Sequence, residues 1–244
     1  MTTRTTPLRL PGGSWDRLVA LSRTHGLSDT ATSRLAALLL SLAEDPHAPT
    51  AARDPLRAVD EHVADSLVAL QLEQTRSAAT IADLGSGAGF PGLPLAVALP
   101  RASVALVESS ARKCAFLRRV AGAVGADNAR VVHTRAEGWS QALGRLDLVV
   151  ARALAPLPVV AEYAAPLLRI GGALLVWRGR IDPEVEAATR RAGAELGLEV
   201  LSPQPVWPFP TAAHRHLQLM LKVRSTPDRF PRRPGMARKR PLAA

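Results

Sequence analysis

The chain has 244 residues, 47% of them hydrophobic and only 4% aromatic, and carries a net charge of +10. That length accommodates one α/β domain of ordinary size with a small appendage, packed largely by alanine, leucine and valine. A single cysteine, Cys114, excludes an internal disulfide and a thiolate metal cluster. No apolar run reaches the length of a membrane span, and Met1-Thr-Thr-Arg4 lacks the apolar core of a signal peptide. A soluble, cytoplasmic protein is expected, with no membrane contact.

Residues 1–76 read as a helical cap without strands. Ser14 begins a short helix through Arg23, and Gly26 ends it. A longer helix starts at Asp29 or Thr30, with an apolar stripe of Leu35, Leu38, Leu39 and Leu42. After a proline-containing connection, a third helix runs from Val59 to Gln71.

Residues 77–223 alternate between strands and helices. Thr80–Ala82, Ser103–Glu108, Ala129–His133, Asp147–Ala151 and Gly172–Trp177 are short apolar runs of the kind that buried parallel strands show. Helices are expected at Leu93–Leu99, Ser110–Val124, Leu157–Leu168 and Glu184–Leu196, and two final strands at Leu198–Leu201 and His216–Val223. The expected fold is therefore α/β, with a seven-stranded, mostly parallel sheet covered on both faces. Residues 224–244 form a tail. From Lys222 onward the chain carries +7, against +3 for everything before it. Such density predicts a nucleic-acid contact rather than a packed element.

The densest chemical signal is Asp83-Leu-Gly-Ser-Gly-Ala-Gly-Phe-Pro-Gly-Leu-Pro94. Its alternating glycines allow a tight turn and close approach to a ligand. Lying between a strand and a helix N-terminus, the loop suits an anionic or nucleotide-like group. Two frames fit it. Gly87, Gly89 and Gly92 match G-x-G-x-x-G, with Glu108 at the distance of a dinucleotide-binding acid. Alternatively, Asp83, Gly85, Gly87 and Gly89 suit S-adenosylmethionine, with Asp83 facing its methionine end and Glu108 accepting both ribose hydroxyls. A dehydrogenase would need a further substrate domain, for which the chain has no room. A protein that binds ribosomes without catalysing transfer is a third reading.

Further along, Ala136 and Glu137 follow the third strand, where a small residue and an acid can hold an adenine amino group. Arg152 ends the fourth strand, at the edge that faces the ligand crevice in open α/β sheets. Cys114 lies on an apolar helix face and reads as core. The six histidines show no metal-ligand spacing, so no metal is expected.

The glycine loop, Arg112-Lys-Cys-Ala-Phe-Leu117, Arg135-Ala-Glu137 and Ala151-Arg-Ala153 together resemble the ribosomal RNA small subunit methyltransferase G family, also called glucose-inhibited division protein B. Asp54-Pro55, His62-Val-Ala-Asp-Ser-Leu67 and the tail from Thr226 to Gly235 are similar to it as well. The resemblance implies a class I methyltransferase that uses S-adenosylmethionine to methylate N7 of one guanine in 16S ribosomal RNA. Its expected partner is that RNA or the small ribosomal subunit, engaged by a monomer. Carried over by position, Gly85 and Phe90 contact the cofactor, Ala136 and Glu137 hold the adenine side, and Arg152 completes the site. The same fold acting on another RNA is the alternative. Substrate-side positions depart from the family: Glu61 replaces an arginine, Arg178-Gly179 a Lys-Gly, and His214-Arg215 a Glu-Arg.

Overall fold

In the computed structural model, which describes residues 10–50, 52 and 54–242, helices α1 (Ser14–Thr24) and α2 (Asp29–Glu44) open the cap. The stretch Met1-Thr-Thr-Arg4, Ala51 and the last two tail residues lie outside the described residues. Ser28 caps α2 by accepting a hydrogen bond from the Ala31 N–H, and Gly26 takes the left-handed conformation (φ +64°) that ends the preceding turn. Asp54 caps α3 (Pro55–Ala58). That helix continues through a π-helical turn, Val59–Ala64, into α4 (Asp65–Leu67) and a 3-10 turn, Val68–Gln71. Helix α5 (Glu73–Arg76) then leads into the sheet. The third expected helix is thus real but irregular, with an extra residue wound in around His62.

The strands are β1 (Thr80–Leu84), β2 (Ser103–Glu108), β3 (Ala129–His133), β4 (Leu146–Arg152), β5 (Leu168–Arg178), β6 (Leu198–Val200), β7 (Gln204–Pro205) and β8 (His216–Lys222). Their order is β3-β2-β1-β4-β5-β8-β6, with β7 paired to β8. Strands β1 to β5 run parallel, and β8 runs antiparallel to β5, β6 and β7. Among the described residues there are eight strands rather than seven, because Gln204 and Pro205 add a two-residue ladder to β8. Strand β5 also begins at Leu168, four residues early, where the ladder with β4 is irregular between Leu146 and Leu148. That takes one residue, Leu168, expected in the preceding helix.

Side-chain alternation divides the sheet into two cores. Ile81, Val104, Leu106, Leu148 and Val150 face one way, against α6 (Gly92–Ala98), α7 (Ala111–Val124) and the leucines of the cap. Ala82, Leu84, Val107, Val149 and Leu174 face the other, against α8 (Leu157–Ala164) and α9 (Pro183–Leu196). The cap shares the core of its face of the sheet.

The tail is a packed element, contrary to the part of the charge-based expectation that set it apart from the fold. Phe230 and Ala237, the latter in α10 (Met236–Lys239), are buried in the α8 and α9 core. Arg232 grips the buried Glu162 of α8 through two bonds of 2.6 and 2.5 Å, and Arg229 pairs with Glu195 of α9 at 2.8 Å. Lys222 is a buried strand residue whose ammonium donates to the Leu196 carbonyl at 2.9 Å. Burial pushes its pKa down to about 8. Lys222, Arg224, Arg229 and Arg232 thus find carboxylates and carbonyls on α8 and α9, so the segment packs, while Arg233, Lys239 and Arg240 are exposed.

Candidate cofactor and acceptor site

The glycine loop leaves β1 and is pinned across to β2, where the Val107 carbonyl accepts from the Gly85 and Ser86 N–H groups at 2.8 and 3.2 Å. Gly85, Gly87 and Gly89 have φ of +71°, +55° and +96°. A side chain at Gly85 would also strike Leu154, 2.6 Å from the position its Cβ would take. Gly92 has ordinary φ but no space, because a Cβ there would lie 2.4 Å from Leu106 and 2.7 Å from the Asp83 carboxylate.

Asp83 shapes the loop from beneath. Its carboxylate accepts the Gly92 N–H at 3.1 Å, while its other oxygen, Oδ1, is buried without a hydrogen-bond partner. The N–H at the start of α6 is therefore taken by the protein's own carboxylate, where the sequence suggested an exogenous anion. Burial pushes the Asp83 carboxyl up to about 7, against the Gly92 bond that favours the anion.

Glu108 ends β2. One of its oxygens accepts the Gly87 N–H at 3.2 Å and the other the Ser110 N–H at 2.9 Å. These bonds fix the carboxylate in place, and each oxygen retains a lone pair. Gly85, Glu108, Ala136 and Glu137 line one cavity of about 320 Å³. That volume is in the range of small-molecule sites. The fixed acceptor pair and the glycine cradle fit a nucleoside with vicinal hydroxyls. Lys113, Leu154, Tyr163 and Arg238 also line it, and the sequence reading assigned none of them to the site. Lys113 stood within a motif already singled out. Tyr163, the single tyrosine in an apolar helix, was a usable signal, and Arg238 was one charge in a run.

Asp83, Gly87, Gly89, Phe90 and Arg152 lie outside that lining. Gly87 and Gly89 form the turn. Phe90 and Arg152 belong to a second cluster beside it, at the junction with the cap. The Phe90 ring stacks on His62 with centroids 4.5 Å apart, and the Arg152 guanidinium sits 5.7 Å from the Phe90 centroid. Arg152 donates to the Glu61 carbonyl at 3.1 Å and to the buried Asp65 carboxylate at 2.9 Å. The Trp177 indole N–H donates to the Asp65 carbonyl at 2.5 Å. His62 is held by Thr50 Oγ1 at 2.7 Å. Burial first, and the positive Arg152 second, push its imidazole down to about 4, so the ring is neutral at physiological pH. Sequence reading found His62, Asp65 and Arg152 separately but not the contact between them.

Among the described residues no group of acidic, histidine and cysteine side chains could hold a metal ion, and no helix is long and apolar enough to cross a membrane.

The family model for rRNA small subunit methyltransferase G matches residues 31–204. The chain is 43% identical to the ribosomal RNA small subunit methyltransferase G of Chloroflexus aggregans, over 79% of this chain and 82% of that one. It is 39% identical to the protein of that name from Rubrobacter xylanophilus, over 78% and 75%. Among solved structures it is similar to the mitomycin 7-O-methyltransferase MmcR (TM-score 0.56, 17% identity, 86% of this chain and 67% of that one). It is also similar to Aeropyrum pernix fibrillarin, solved with natively bound S-adenosyl-L-methionine (TM-score 0.52, 20% identity, 65% and 73%). At those identities the likeness concerns the fold, which is that of class I methyltransferases. The glycine frame shared with dehydrogenases is thereby set aside, and the chain belongs to the rRNA small subunit methyltransferase G family.

Proposed function

We propose that this protein transfers the methyl group of S-adenosylmethionine to N7 of a guanine in 16S ribosomal RNA. The observation that carries the reading is Glu108: a carboxylate locked by two backbone N–H groups beside the Gly85 turn, in a cavity of cofactor size. When bound there, S-adenosylmethionine supplies an electrophilic methyl group on a sulfonium.

Glu108 would accept from the ribose hydroxyls, the Gly85 turn would admit the chain of the ligand, and Ala136 would border its adenine. Asp83 contributes from below by fixing the turn. Guanine N7 has an in-plane lone pair and carries no proton, so the acceptor needs no general base. The neutral, buried His62 is consistent with that. The protein's contribution is then positioning and electrostatics. Arg152 is aimed by Asp65 and the Glu61 carbonyl and is suited to orient the acceptor base or hold a phosphate. A bidentate arginine grip on O6 and N7 would occupy the nucleophile, so Arg152 serves from another direction.

The acceptor side also has features suited to RNA. Arg215 lies 3.8 Å from Asp65, and its carbonyl accepts the Val206 N–H at 2.9 Å. Trp207, 72% exposed, follows Val206 in the chain. An exposed indole is suited to stack on an unpaired base.

The test uses small ribosomal subunits from cells lacking this gene, incubated with the protein and S-adenosylmethionine, then cleaved with borohydride and aniline. One new cleavage in 16S RNA is expected, and an unchanged pattern rejects the target. Glu108→Ala should weaken binding of S-adenosylhomocysteine by roughly 1–3 kcal/mol, measured by calorimetry.

A further inference from the structure

The carboxyl-terminal tail reaches the cavity assigned above to the methyl donor. Arg238 lines it together with Glu108, Ala136 and Glu137. The Arg238 guanidinium donates at 2.8 Å to the carbonyl of Leu154, the residue whose side chain packs over the Gly85 turn, and hydrogen-bonds the Tyr163 hydroxyl. Guanidinium has five N–H donors. At Gly235, where φ is +86°, the N–H donates to a Glu137 oxygen at 3.0 Å. On the far side, Arg232 clamps Glu162 and donates to the Arg240 carbonyl at 2.8 Å. The tail therefore spans from the loop after β3 to α8, with Gly235 held by the Glu137 carboxylate and Arg240 held through Arg232, and Arg238 lying between Gly235 and Arg240 in sequence.

We propose that this segment is a wall of the donor cavity, and that Arg238 contacts the bound nucleoside at its base end. The proposal rests on the reading of that cavity as the S-adenosylmethionine site. Arg238 shares the lining with Tyr163, Ala136 and Glu137, of which Ala136 is assigned above to the adenine. A purine offers a flat face and ring-nitrogen acceptors, both of which suit a planar guanidinium. Glu137 then has two roles. One oxygen holds the tail through Gly235, and the other faces the base. Docking of the tail and binding of the nucleoside stabilise each other, because each orders the same carboxylate.

The experiment measures affinity for S-adenosylhomocysteine by calorimetry, with trypsin cleavage as a second readout. Arg238 is exposed at the surface, so Arg238→Ala should fold as the parent does. We expect about tenfold weaker binding for Arg238→Ala, with partial recovery in Arg238→Lys. Gly235→Pro, which removes the N–H held by Glu137 and cannot adopt the φ of +86° found there, should release the tail and weaken binding at least as much. Saturating S-adenosylhomocysteine should slow cleavage within residues 229–240 of the parent and much less in Arg238→Ala. Parent-like affinity in Arg238→Ala, with tail cleavage indifferent to ligand, overturns the proposal and leaves the cofactor reading standing. A parent protein that does not bind S-adenosylhomocysteine ends both.

Discussion

The two ends of this chain attach to opposite faces of the same sheet by different forces. The amino-terminal cap enters its core with leucines: Leu18, Leu35, Leu38, Leu39, Leu42 and Leu67 are all essentially inaccessible to solvent. The carboxyl-terminal tail buries Phe230 and Ala237 but is otherwise held by arginine–carboxylate pairs and backbone bonds. Apolar burial is undirected and shared by many neighbours, so the cap belongs to the cooperative fold. Charged docking depends on a few defined partners and can be broken alone. The comparison teaches that an appendage can be part of the core or clipped to it, and that the second suits a segment bordering a ligand cavity.

The largest expected effect is in the cap. Leu38→Ala should lower global stability by about 2–5 kcal/mol, seen as one cooperative transition in urea followed by circular dichroism. A loss below 1 kcal/mol, or separate melting of the cap, would break the contrast. Arg232→Ala comes next. It strands the buried Glu162 carboxylate, a defect worth about 3–5 kcal/mol if nothing relaxed. Release of the tail lets water reach Glu162, so the global loss should be smaller than for Leu38→Ala. The expected signature is rapid trypsin cleavage confined to the tail. A melting temperature lowered as far as in Leu38→Ala, without preferential tail cleavage, would place the tail in the cooperative core.

The smallest effect is one of pH, at the junction of cap and sheet. The Asp83 carboxyl, raised to about 7, retains a proton that the unfolded chain releases above its ordinary value of 3.8. Its contribution to stability therefore falls as pH rises between those values. His62, depressed to about 4, refuses a proton that the unfolded chain takes up below 6.5, so its contribution rises with pH across that window. Arg152 acts on both groups and Glu108 on Asp83. The two slopes oppose each other in the parent. Stability of Asp83→Asn should climb more steeply than the parent's from pH 4 to 6.5, whereas His62→Gln should fall more steeply towards pH 7. Identical slopes in all three proteins would falsify the assignment of these groups.

The irregular region around His62 shows where sequence reading reached its limit. Helical spacing marks a helix from Val59 to Gln71, and the segment is helical. The π-helical turn inside it, Val59–Ala64, has no propensity signature. It accompanies the stacking of His62 on Phe90, whose loop lies across the cap–sheet junction. Likewise, the charge of the tail was legible, but charge density alone does not show that the segment packs. The partners that decide it, Glu137, Glu162 and Glu195, are between 34 and 98 residues away along the chain.

What the linear order of residues determined by itself is local: strand–helix alternation with its period of two, the leucine stripe of α2, and a glycine turn that permits positive φ and close approach. Those features depend on steric limits and on burial patterns repeated within a few residues, so they are written wherever the residues are. The tertiary structure alone decided that Asp83 supports the turn from below, that Arg152 is aimed by Asp65, and that Arg238 borders the cavity. A charged side chain commits to whichever partner the fold brings within about 3 Å, and that distance does not exist until the chain has closed on itself.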